Sequence, residues 1–133
     1  ARKEPARTVV WDFLAPLFDS DKEFEVRFGV TMAMSHYLTE EYLDRFLNIL
    51  TRVDHPGYYA RMGVAWAVSI CYVKFPDQTK PILSEYKLKD QWTHNKAIQK
   101  IRESYRVPAS EKSDLSEFVR HHFPATGGSE LPV

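Results

Sequence analysis

From Val26 onward the apolar residues Val30, Ala33, Met34 and Tyr37 fall on one helical face, which predicts an amphipathic helix starting near Asp21. Arg27 sits at the edge of that face, and Glu23, four residues earlier, is spaced to pair with it. Thr39 is placed to cap a second helix reaching about Thr51, on which Glu41 and Arg45 have the spacing of an ion pair. Asp54-His55-Pro56 opens the next, because proline suits a first helical turn. Residues 57–74 are apolar almost all round apart from Arg61, the pattern of an inner helix covered by both neighbours, with Trp66 at its centre. Phe75-Pro76-Asp77 then interrupts the chain, and a short helix follows to about Tyr86. Thr93 is positioned to cap a helix running through Lys96, Lys100 and Arg102 to Arg106, which stops before Pro108. Ser110 or Ser113 opens a last helix to about His122, and Pro124, Gly127, Gly128 and Pro132 mark a flexible tail over residues 123–133. No segment alternates as a strand does.

The helices repeat. The ten residues from Val26 return 34 positions later from Ala60, with arginine, glycine, valine, alanine and serine at matching places. The preceding helices match at an offset of 33, Phe13-Leu14 with Leu17 answering Phe46-Leu47 with Leu50. A fainter third copy sets Lys96 and Ser104 each 35 after Arg61 and Ser69. Two helices per period of this length predict an all-α superhelix of HEAT-like helical repeats, with about six or seven helices in one domain over residues 1–122.

Composition narrows the function classes. With 133 residues, 44% hydrophobic and 27% charged, the chain suits one globular domain. The longest apolar run, from Met62 to Val73, is too short to cross a bilayer, so no membrane association is expected. The start, Ala1-Arg2-Lys3-Glu4-Pro5, has no apolar leader and reads as a cut edge, which makes a fragment the expectation. Exposed apolar surface where repeats are missing would then drive dimers. Cys71 is the single cysteine, which excludes an internal disulfide and fits a cytoplasmic setting; as a small hydrophobe on an apolar helix it reads as core. There is no phosphate loop, no GxGxxG, no paired cysteine and no HExxH, so neither a cofactor nor a metal is expected. His121 and His122 are adjacent and would point about 100° apart on a helix.

The formal net charge is zero, so attraction to a polyanion must come from how the charges are distributed. Lys96, Lys100, Arg102 and Arg106 place four cations in eleven residues against one acid, Glu103. Lys96, Lys100 and Arg106 fall near one face, where they could meet consecutive phosphates. A solvated helix face with cations near its C-terminus would look the same. Solenoids present the same position of successive inner helices along one wall, so Arg27, Arg61 and Lys96 are expected to form a basic row.

Three strings carry a resemblance: residues 24–30 (FEVRFGV), 58–69 (YYARMGVAWAVS) and 95–104 (NKAIQKIRES). They resemble the DNA alkylation-repair (AlkD-like) family of HEAT-repeat glycosylases over about residues 10–107. The resemblance implies hydrolysis of the N-glycosidic bond of alkylated purines in double-stranded DNA. Such chemistry needs a carboxylate to stabilise a cationic sugar, and aromatic faces beside it. It also implies that Arg27 holds a phosphate and that Trp66 lines the substrate pocket; together with the basic residues singled out above, Arg27, Arg61, Lys96, Lys100, Arg102 and Arg106 are the expected contacts to the DNA backbone. The family places a tryptophan four residues before its catalytic aspartate; here the tryptophans are followed at that spacing by Ala15, Ile70 and Lys96. Trp11-Asp12 are neighbours in sequence and diverge on a helix. No catalytic residue is therefore expected in this chain, and the aspartate is expected upstream. A protein-binding scaffold and a family member that binds DNA without cleaving it remain the alternative readings.

Overall fold

The computed structural model describes residues 4–104 and 106–119, with side chains from residue 9 onward. Of the expected 1–122 domain, residues 1–3, 105 and 120–122, His121 and His122 among them, lie outside the described residues, as does the tail at 123–133. Seven α-helices are described: α1 (Glu4–Leu14), α2 (Glu23–Tyr37), α3 (Glu40–Arg52), α4 (Tyr58–Lys74), α5 (Pro76–Ser84), α6 (Gln91–Arg102) and α7 (Ala109–Ser116), with a 3-10 turn at Ala15–Asp19. The described residues contain no strand, and no helix among them is long and apolar enough to cross a membrane. The chain is an all-α stack of helix pairs. Helices α2, α4 and α6 form one layer with α4 in the middle, while α3 and α5 cover it from the other side.

Small side chains set the spacing of the inner layer. Ala60, Gly63, Val64, Ala65, Ala67 and Val68 of α4 are all buried, so two neighbouring helices approach closely and almost no polar face is left. The outer α3 is two-faced instead: Tyr42, Leu43, Phe46, Leu47, Ile49 and Leu50 point inward, and Glu41, Asp44, Arg45 and Asn48 face water. At the other end Trp11 anchors α1, its ring 5.0 Å from that of Tyr37, 5.4 Å from Tyr42 and 6.1 Å from Phe18. Gly29 lets α2 sit on the 3-10 turn, since a Cβ there would lie 3.0 Å from Leu17 Cβ.

Several helix ends differ from the sequence expectation. Thr39 does occupy the N-cap of α3, but its side chain makes no capping bond, and Arg45 lies over the Tyr42 ring at 5.0 Å instead of pairing with Glu41. Pro56 stays outside α4. His55 accepts the Gly57 N–H on Nδ1 and donates from Nε2 to the Asp21 carbonyl, both at 2.9 Å, which fixes its tautomer and keeps this stretch extended. Asp90, not Thr93, caps α6: its Oδ2 accepts the Thr93 N–H at 2.9 Å and its Oδ1 the Thr93 hydroxyl at 2.7 Å. Helix α6 ends at Arg102, so Arg106 stands on the loop beyond. Helix α5 ends in a Schellman turn, with Tyr86 N–H bonded to the Leu83 carbonyl and Lys87 N–H to that of Ile82. Tyr86 takes the left-handed position at φ 54°, where glycine is usual and a tyrosine carries a strain of about 1 kcal/mol.

Asp90 also meets the guanidinium of Arg61, whose Nε lies 3.6 Å from Oδ2 and is itself buried. Removing the carboxylate takes away a helix cap and leaves that nitrogen without a counter-charge. Asp90→Ala is expected to cost about 1–3 kcal/mol in urea unfolding, and Asp90→Asn, which keeps the cap, less than half of that. Equal losses in the two variants would refute the part given to charge.

Candidate nucleic-acid interface

The first turns of the inner helices are tied together by the residues that looked like surface cations. Arg27 of α2 donates from Nη1 to the Tyr59 carbonyl at 3.1 Å, and Glu23 accepts the Tyr59 N–H, so both grip the start of α4 rather than each other. Gly57 makes room, since a Cβ there would overlap the Glu23 carboxylate at 2.4 Å. One repeat later Arg61 reaches the N-cap of α6 in the same sense, through Asp90. The two repeat-related arginines are latches between successive inner helices.

The expected basic row of Arg27, Arg61 and Lys96 is therefore not what the stack presents. Arg61 is taken by Asp90, and the third copy is in register at an offset of 34. Buried Gly63, Val64 and Ala67 of α4 correspond to buried Ala97, Ile98 and Ile101 of α6, which puts Asn95 opposite Arg61. Lys96 corresponds to Met62, and Lys100 to Trp66. That one-residue slip turns Lys96 away from the arginines and sets half-buried Lys100 at the position of exposed Trp66.

Two concavities receive the cations of α6. Between the C-terminal halves of α4 and α6 lies an open trough of about 440 Å³, walled by Trp66, Ile70 and Val73 on one side and by Lys100, Glu103 and Arg106 on the other. Trp66 is 40% exposed into this space. Lys100 and Arg106 make no ion pair among the described residues. Glu103 receives a hydrogen bond from Gln99 Nε2 at 3.0 Å. A second depression, about 670 Å³, lies between α6 and α7 and is edged by Lys96, Arg102 and Lys112, with Trp92 and Asn95. Lys96 donates to Gln99 Oε1 at 3.0 Å and lies 5.4 Å from the Trp92 ring centroid. Trp66, Lys100 and Arg106 thus come together, Lys96 and Arg102 meet on the neighbouring face, and Arg27 stands apart at the first turns.

No family model, curated protein or solved structure matches the chain.

Reactive chemistry finds little support elsewhere. Trp11 is buried in the core while Asp12 faces water, so the two do not share a wall. Burial pushes the Cys71 thiol up to about 12, which keeps it protonated and unreactive. Burial, reinforced by the 2.6 Å hydrogen bond to Glu111, likewise raises the Tyr72 phenol, so its hydroxyl stays protonated and fastens α4 to α7. Among the described residues no group of three or more histidine, cysteine, aspartate or glutamate side chains is placed to hold a metal ion. The arrangement can bind an anion beside an aromatic face. The features that reading the sequence missed were Asp90 as the cap of α6 and the aromatic residues that open α2, α4 and α6.

Proposed function

We propose that this chain is the DNA-contacting part of a HEAT-repeat DNA alkylation-repair glycosylase, gripping the backbone of double-stranded DNA that carries alkylated bases. The observation that carries the reading is the trough in which Lys100 and Arg106, neither ion-paired among the described residues, face exposed Trp66 from the wall they share with Glu103. Cations held in a concave wall without internal partners gain more from a phosphate than cations already paired. Lys96 and Arg102 extend the positive face of α6. Arg27 and Arg61 are less available, since each is occupied at the next helix. The resemblance over residues 24–30, 58–69 and 95–104 supplies the reaction class, and the carboxylate that stabilises the sugar cation is assigned upstream of these residues. The reading gives this chain binding without hydrolysis, and a cytoplasmic setting.

A labelled duplex titrated by fluorescence anisotropy across a range of salt tests it. Two to four phosphate contacts give a slope of roughly −2 to −4 in log affinity against log salt. Salt-indifferent binding would remove the phosphate contacts and with them the reading. The rival, a protein-binding scaffold, is favoured by Val9 and Phe13 of α1, which are 68% and 67% exposed. It expects no duplex binding at all.

A further inference from the structure

The repeat places an aromatic ring at one equivalent position of every inner helix. Phe24 opens α2, Tyr58 opens α4 and Trp92 opens α6, each 34 residues after the one before. Tyr59 bridges the first gap. Ring centroids step from Phe24 to Tyr59 in 5.8 Å, to Tyr58 in 5.3 Å and on to Trp92 in 5.7 Å, and Lys96 closes the row over Trp92. The core does not account for three of these rings: Phe24, Tyr58 and Tyr59 are 70%, 58% and 50% exposed, while Trp92 at the end of the row is half-buried. Their contacts show in addition that α2, α4 and α6 run parallel, with their first turns along one edge. That edge is opposite the trough.

We propose that this row is a stacking platform for the unpaired bases of single-stranded DNA. The inference rests on the DNA-binding reading above and adds a second surface to it. Every base offers a flat π-face, so rings that stand in water can take bases whatever their sequence, and the turns of 27°, 79° and 60° between neighbours give each ring its own face or edge to offer. Three centroid steps give room for roughly three bases, a modest site by the standards of such platforms. Charge complementarity favours this occupant over an apolar peptide. The row leads at Trp92 into the depression edged by Lys96, Arg102 and Lys112 against one acid, Glu103; none of the three cations makes an ion pair among the described residues, so a strand stacked on the rings would run its phosphates towards this net positive edge. Two of the four rings carry hydroxyls, and the row itself contains no aliphatic side chain for a hydrophobic anchor to meet.

The test titrates a fluorescently labelled oligothymidylate, and separately a labelled duplex of the same length, against the wild-type chain and three variants. These are Tyr58→Ala with Tyr59→Ala, Tyr58→Phe with Tyr59→Phe, and Lys100→Ala with Arg106→Ala. Alanine is favourable in a helix, and circular-dichroism melting confirms that each variant folds. The alanine pair is expected to weaken single-strand binding by about tenfold or more and duplex binding by no more than about twofold; the phenylalanine pair keeps both. Unchanged single-strand affinity in the folded alanine pair overturns the platform, as does an equal loss in the phenylalanine pair. Duplex affinity that survives loss of Lys100 and Arg106 overturns the trough reading alone, while single-strand affinity lost with the tyrosines still supports the row.

Discussion

Reversing the two trough cations, Lys100→Glu with Arg106→Glu, lowers affinity for duplex DNA by about a hundredfold or more while the melting temperature stays within a few degrees of wild type. Hydrogen bonds to charged groups contribute about 1.5–3 kcal/mol each, and 1.4 kcal/mol is a factor of ten in affinity, so losing two phosphate contacts already reaches that size. Repulsion by the new carboxylates adds to it. Stability is spared because neither cation makes an ion pair among the described residues, and Arg106 lies beyond the end of α6. Arg61→Glu should behave in the opposite way, since it would set a carboxylate against Asp90 at the N-cap of α6. Anisotropy titrations paired with thermal melts read both quantities. A double variant that binds duplex within about threefold of wild type would sink the assignment of the trough to phosphate.

The largest loss of stability is expected from Trp11→Ala. The indole is 7% exposed and meets the rings of Phe18, Tyr37 and Tyr42, so truncation opens a cavity among three further aromatics that cannot all close onto it. Such changes cost about 3–5 kcal/mol, and for a domain of this size the melting temperature should fall by on the order of 10 °C. A fall of only a few degrees would mean that α1 contributes little to the cooperative unit. Phe13→Ala on the same helix, at a site 67% exposed, should change stability by no more than about 0.5 kcal/mol.

The helical class and the inner helices were legible because a period of 34 repeats both the apolar face and the glycine, as at Gly29 and Gly63. Local rules served less well where a tertiary partner competed. Glu23 and Arg27 have ideal spacing for a surface pair, yet the exposed N–H and C=O of Tyr59 at the start of α4 took one each. Asp90 and Thr93 are both good capping residues, and the proximity of Arg61 fits the choice of the aspartate. The third copy diverges enough that similarity alone aligned Lys96 with Arg61; burial of Ala97, Ile98 and Ile101 corrects it by one residue. With that register the aromatic series Phe24, Tyr58 and Trp92 becomes visible in the sequence as well. What sequence spacing alone did not show is that Phe24 and Tyr58 stay in water while Trp92 is half-buried.

The latches at Tyr59 and Asp90 lie at one edge of the inner layer, and the trough lies at the other. The latched margin fixes how the first turns of α2, α4 and α6 stand to one another, while Tyr72, bonded to Glu111, ties the far end of α4 to α7 and leaves the trough between Trp66 and Lys100 open to water. On the DNA-binding reading proposed above, a phosphate backbone would enter at that open end, without displacing a latch or repacking the core.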